Sequence, residues 1–252
     1  MLIEGFDQVG TMATIYNYPY YPQHLEKLGF EKDADWVEYK IIIPDSLPDK
    51  HRRIAELMQQ KYNLKIKKFT SSKKLATDYG QAIFELVNEA YQSLYSFSPL
   101  SPKQIEQYIK MYLPIINLQM ISLVTDANDK LVAIGLSMPS LSKALQKAKG
   151  KLFPVGWYYL LKALYFKRDY EVLDLLLAAV KPEYQGKGIN ALLFYDLVPI
   201  YIKLGLVFGE SNPELELHEK IQAQWSYFES KRHKRRRSFI KKIKDLTPHN
   251  HV

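Results

Sequence analysis

Val180 to Leu193 read VKPEYQGKGINALL, and this stretch decides how the rest of the chain is arranged. An apolar run, Val172 to Val180, ends at Pro182; Gln185, Gly186 and Gly188 follow, and a helical pattern begins at Ile189. The order is strand, glycine turn, helix. Glycines let the backbone turn tightly with its N–H groups pointing one way, and the first turn of a helix adds unpaired N–H donors and a positive dipole end. Such a turn is a cradle for phosphate. An ordinary tight turn is the alternative.

Spacing separates the known cradles. A P-loop needs GxxxxGK[ST], and no Lys-Ser or Lys-Thr follows Gly188. The dinucleotide fingerprint needs GxGxxG, which Leu192 to Phe194 break. The stretch does resemble the acyl-CoA motif of the GNAT acyltransferase superfamily, [QR]xxGx[GA] preceded by V-x-P-x-[YFW]: Val180, Pro182, Tyr184, Gln185, Gly186, Gly188, Ile189 and Leu193 all match. Asn190 departs, since Gly or Ala is usual there. The resemblance implies an α/β fold with a mixed, mostly antiparallel sheet, a splayed parallel central strand pair and flanking helices. It implies acetyl-CoA or a longer acyl-CoA as co-substrate. The diphosphate would lie on main-chain N–H groups from Gln185 to Asn190, with Lys187 adding charge. The pantetheine arm would bond to the main chain at Ala178, Ala179 and Val180.

Composition sets bounds. The chain has 252 residues, near-average apolar and charged fractions and a formal net charge of +8, which describes a folded protein with one large or two small domains. It has no Cys, which excludes disulfides, thiolate catalysis and Cys-based zinc sites. The six His are scattered without HExxH, so no metal site is expected. The start, MLIEGFDQVG, has neither the basic region nor the apolar core of a signal peptide, and a cytoplasmic location is expected. Charge concentrates in Lys231 to Lys244, KRHKRRRSFIKKIK. It reads as a solvated edge strand or as a surface for an anionic partner, and with no recognition helix, finger or RNA-binding aromatic signature nucleic acid is not expected.

Three segments are expected: a partial GNAT-like unit over 1–45, a linker helix over 46–62, and a GNAT domain over 63–247 with a helical insertion at 140–167. In the first, Leu28, Gly29 and Phe30 resemble the turn before the closing strands of the family, and Trp36 to Ile43 alternate as a strand. So small a piece must lean on the second unit or on another copy in a homodimer. The second unit reads as a strand at Leu64 to Phe69, helices at Leu75 to Leu94 and Lys103 to Leu113, and strands at Met120 to Thr125 and Leu131 to Met138. The insertion contains LFPVGWYYLLKALYF, too short and broken to span a bilayer. It extends the core, lines a pocket for a greasy substrate or touches a membrane interface; core is the commoner use of aromatics. Pro199 should kink or shorten the helix from Asn190 to Leu204, and Arg237 to Ile243 should close the sheet.

Acyl transfer from a thioester to an amine needs a proton acceptor, a grip on the carbonyl oxygen and a proton for the departing sulfur. Glu210, at the end of the strand Leu206 to Glu210, is the first candidate base, and Asp174 on the earlier strand is the second. Main-chain N–H near Val180 would hold the oxyanion. The family often places an acid Tyr shortly before a Gly-Phe; no Gly-Phe lies between Leu215 and Phe228, leaving Tyr227 as the nearest candidate. The expected activity is N-acyl transfer to a primary amine, most simply acetylation. Long-chain transfer to a lipid or amino-acid amine, with peripheral membrane contact, and a non-catalytic CoA-binding protein are the alternatives.

Overall fold

A computed structural model describes residues 1–11, 13–163, 171–217 and 222–243. The strands are β1 (Leu2–Glu4), β2 (Glu31–Ile42), β3 (Lys65–Lys67), β4 (Ile121–Thr125), β5 (Leu131–Pro139), β6 (Val172–Val180), β7 (Phe208–Ser211), β8 (Glu214–Leu215) and β9 (Ser230–Ile240). The helices are α1 (Tyr20–Lys27), α2 (Asp49–Tyr62), α3 (Ser72–Tyr91), α4 (Pro102–Tyr112), α5 (Ser142–Lys147), α6 (Gly156–Leu161) and α7 (Asn190–Lys203). All strands join one sheet in the order β1-β9-β2-β7-β6-β5-β4-β3, with β8 beside β7 on β2. Among the described residues only β6 and β7 run parallel; the other pairs are antiparallel.

Helices cover both faces, which explains why the central strands lack polar-apolar alternation. Leu75, Ile83 and Leu86 of α3 pack on Ile121, Leu123, Ile134 and Ala179. On the opposite face, Ala55 and Met58 of α2 and Ala191 and Leu192 of α7 pack on Val124 and Val132. Every residue of β4 is buried, Ser122 and Thr125 included.

Residues 1–45 do not stand apart. β2 sits between β9 and β7, paired with β9 from Glu31↔Ile240 to Ile41↔Ser230 and with β7 through Lys40↔Glu210. The Leu28-Gly29 turn that delivers it has Leu28 as the α1 C-cap and Gly29 at φ 80°, a conformation only glycine adopts without strain.

The basic run is an interior strand rather than an edge. β9 lies between β1 and β2, and its cations meet acids: Arg237 bonds Asp35 at 2.8 and 3.0 Å, Arg235 pairs with Glu4 and Glu216, and Lys234 and Arg236 reach Glu38. An acidic strand from the start of the chain thus neutralises a basic strand near its end. β9 also begins seven residues earlier than the expected Arg237, and the short β1 forms the rim. Between β1 and α1 the chain lies as a strap across this half of the sheet. Lys234 Nζ donates to the Val9 carbonyl at 3.1 Å, Arg236 Nη1 to Ile15 at 2.7 Å, and Ser142 Oγ to Gly10 at 2.7 Å.

Two further expectations are corrected. α7 is not shortened at Pro199 but continues through it to Lys203. Pro199 is exposed, so the carbonyl of Tyr195 that loses its N–H partner lies on the solvent side and can bond water. The aromatic half of the insertion does not extend the core: Leu141 and Ala144 at its start are buried, but in α6 only Gly156 is, while Phe153 is 72 % and Trp157 44 % exposed. The end of the expected insertion, up to 167, lies outside the described residues.

Candidate active site

The site begins with a fault in the sheet. Leu136 pairs with Leu177 but Ser137 with Leu175, so Leu176 is an extra residue on β6. A bulge of this kind bends a strand and increases its twist. Pairing with β7 runs from Val172↔Phe208 to Leu175↔Ser211 and stops there. Beyond it the chain turns away through Asn212 and Pro213 into β8, which pairs with β2 at Val37↔Glu214 and Trp36↔Leu215. The second half of β6 is left with a free edge.

The register shows which groups line that edge. Lys181 N–H donates to the Val132 carbonyl, which makes Ala133↔Val180 a non-hydrogen-bonded pair, and Gly135↔Ala178 follows two residues on. The N–H and C=O of Ala178 and Val180 therefore face the gap, whereas those of Ala179 face β5. Side chains cap the carbonyls along it: Asn212 Nδ2 donates to Leu176 at 2.5 Å, Tyr91 OH to Ala178 at 2.8 Å and Gln185 Nε2 to Val180 at 2.9 Å.

The glycine turn closes the wide end of the gap. Pro182–Tyr184 form one 3-10 turn, and Gly186 and Gly188 take φ 72° and 79°. A Cβ added at Gly186 would meet nothing within 4 Å, while one at Gly188 would come 3.1 Å from Ile54 Cγ2. Among the described residues no side chain caps the start of α7. The Asn190 amide instead reaches Gln224 Oε1 at 3.4 Å, and Lys187 stands 5.5 Å from the Tyr62 ring and 5.8 Å from the Tyr184 ring. Open space beside Gly186, uncapped N–H groups and a nearby Lys fit a diphosphate. If the turn holds the diphosphate of CoA, as the resemblance implies, Gly186→Val should weaken that binding about tenfold while costing roughly 1 kcal/mol of stability, because the new side chain projects into the open space from a positive φ. Titration calorimetry with CoA and urea denaturation would check the two values.

At the narrow end, Asp174 and Glu210 are register partners, one step before the strands separate. Both are buried, but their settings differ. Lys234 Nζ bonds Glu210 and lies 3.0 Å from Glu38 Oε2, and His233 Nε2 stands 3.4 Å from Glu210. Burial is the main influence on Lys234, lowering its pKa against the pull of Glu38. Asp174 Oδ1 has no hydrogen-bond partner among the described residues. Burial raises the Asp174 carboxyl to about 6, with Ser140 and Lys234 pulling it back only in part.

Tyr227 lies elsewhere, its ring 5.4 Å from His51 and 4.2 Å beneath Lys50 Nζ, both on α2. The phenol that reaches the free edge of β6 belongs to Tyr91, which burial raises to about 12. Sequence reasoning also passed over Glu214, which accepts the Trp225 indole N–H at 2.9 Å and is raised by burial to about 7. The available signals were the position of Tyr91 at i+4 from Val87 on the apolar face of α3, and an acid directly after the Asn-Pro that ends β7.

No protein-family model matches the chain. Among curated proteins it is similar to the bacterial ceramide synthase of Caulobacter vibrioides, at 23 % identity over 226 residues covering 85 % of this chain and 55 % of that protein. It is also similar to protein YghO of Escherichia coli, at 22 % identity over 194 residues covering 77 % and 48 %. The chain thus spans about half the length of the curated relatives it matches. Among solved structures, the GCN5-related glucosamine N-acetyltransferase region of a fungal GH3 beta-N-acetylglucosaminidase superposes with a TM-score of 0.54 at 14 % identity, covering 91 % of this chain and 24 % of that one. With one parallel pair splayed by a bulge inside an antiparallel sheet, and a glycine turn at its mouth, the chain has the fold of the GCN5-related N-acetyltransferases.

Proposed function

We propose that this chain transfers an acyl group from an acyl-CoA thioester directly to a primary amine. The observation that carries the reading is the gap between β6 and β7, with main-chain donors along one wall and the glycine turn at its mouth. Ala178 and Val180 bond the pantetheine arm as an added strand would. Gly186, Gly188, Ile189 and Lys187 hold the diphosphate. Asp174 takes the amine proton, having one free carboxyl oxygen and a pKa near 6 that leaves it ionised at neutral pH. Glu210, tied to Lys234, contributes fixed charge rather than a mobile proton. The amine nitrogen bonds to the carbonyl carbon, the C–S bond breaks, and the departing sulfur takes a proton from Tyr91, the phenol on this edge of β6.

The similarity to a bacterial ceramide synthase favours one acceptor class, since a ceramide is a fatty amide of a long-chain amino alcohol. On this second reading the acyl chain is long and the amine belongs to a lipid. Calorimetry with acetyl-CoA and palmitoyl-CoA separates the two, the tighter ligand marking the chain length. Thiol release with small-amine and sphingoid-base acceptors then separates an enzyme from a protein that only binds CoA. If neither thioester binds, the acyl-transfer reading fails.

A further inference from the structure

The loop from α5 into α6 carries an exposed apolar tip. Leu152, Phe153, Val155, Trp157 and Tyr158 all face solvent, within seven consecutive residues. The tip is a tight knot, not a loose loop. Trp157 N–H donates to the Leu152 carbonyl at 2.8 Å and Tyr158 N–H to Val155 at 3.1 Å, while the Trp157 indole donates to Pro154 at 2.9 Å. Gly156 allows this closeness: a Cβ there would lie 1.7 Å from the Lys151 carbonyl oxygen. A protein that exposes clustered large apolar side chains in a fixed arrangement uses them to dock.

The charge around the tip selects the partner. Residues 141–163 contain Lys143, Lys147, Lys149, Lys151 and Lys162 and no Asp or Glu. Lys147, Lys149 and Lys151 are exposed and lead directly into the tip, while Lys143 is paired with Glu171 at 2.9 Å. Interfaces between proteins favour aromatic residues but are depleted in Lys. Lys beside Trp, Phe and Leu, with no acid among them, is instead the composition of a surface that sinks apolar groups into a bilayer interface and sets cations among anionic headgroups. Among the described residues no helix is long and apolar enough to cross a membrane. We infer that residues 147–158 are a docking tip for the surface of an anionic lipid bilayer, an inference that does not depend on the acyl-transfer reading.

The test uses the full chain in flotation with vesicles of phosphatidylcholine containing about a third phosphatidylglycerol, and with phosphatidylcholine alone. The chain should float with the anionic vesicles and partition at least about tenfold less onto neutral ones. Phe153→Ser/Trp157→Ser and Lys147→Glu/Lys149→Glu/Lys151→Glu should each reduce partition by about tenfold or more. These side chains are exposed, so unfolding midpoints should not change. Brominated lipid should quench tryptophan emission in the wild type but much less in Trp157→Phe, since Trp225 is buried and Trp36 is half-buried on β2 against Tyr95. Absence of flotation overturns the inference, as does flotation undiminished in both multiple variants. Self-association without lipid binding, abolished by Phe153→Ser/Trp157→Ser, would also overturn it and make the tip a contact between copies.

Discussion

Asp174→Asn is expected to lower kcat for acyl transfer by about 10²–10⁴-fold, the usual contribution of a positioned proton acceptor, and to leave acyl-CoA affinity unchanged. In the wild type kcat/KM should fall as pH drops through about 6, where the carboxyl takes up a proton, and the variant should lose that limb. Stability should move the other way. Burial raises this carboxyl from its ordinary 3.8 to about 6, so the folded state binds the proton more tightly than the unfolded one. Its contribution is full below pH 3.8 and is lost as pH rises through 6. At pH 8 the neutral, nearly isosteric Asn should therefore stabilise the fold by up to about 3 kcal/mol, and the advantage should vanish in acid. Activity down and stability up together separate lost chemistry from a damaged fold. Unchanged turnover in Asp174→Asn, with a loss in Glu210→Gln instead, would return the proton-accepting role to Glu210.

Lys234→Met should be the most destabilising single change, by about 3–5 kcal/mol, because removing one partner of a buried ion pair leaves the others uncompensated. The Lys234 side chain is only 1 % exposed, and its ammonium serves Glu38, Glu210 and the Val9 carbonyl together. Without it, Glu38 keeps Arg236 and Glu210 keeps a His233 contact at 3.4 Å. Urea denaturation at pH 8 measures this. Glu210→Gln/Lys234→Met should recover part of the loss, since one stranded charge is gone. A loss below about 1 kcal/mol would mean that the cluster is worth no more than a surface pair.

What could be read from the chain follows how local the determining physics is. The turn after Val180 was legible because glycine conformation, the stop at Pro182 and the start of α7 are decided within a few residues. The hairpin of β4 and β5 was legible for the same reason: Asp126 Oδ1 accepts from Asn128 and Lys130 N–H, both at 2.9 Å. The bulge at Leu176 left no trace, since LDLLLAA is apolar on both sides and shows no break in alternation. The role of the basic run was hidden because its acidic partners lie about two hundred residues earlier, beyond the reach of any periodicity. The insertion misled through composition: aromatics are usually buried, and only the fold shows that here they lack a cover. Within the site, alternation placed Asp174 and Glu210 on their strands but could not show that Lys234 binds one of them and leaves an oxygen of the other free.

The place of β2 between β7 and β9 bears on how the polypeptide reaches its native state. On the ribosome Glu31–Ile42 emerges well before its partners and must wait, with both of its edges unsatisfied, for strands translated some 170 to 200 residues later. Contacts this distant in sequence slow folding, and the waiting strand is exposed to wrong pairing in the interval. Its four acids, Glu31, Asp33, Asp35 and Glu38, repel a second copy, so nascent chains are kept from zipping to one another until the cationic complement arrives.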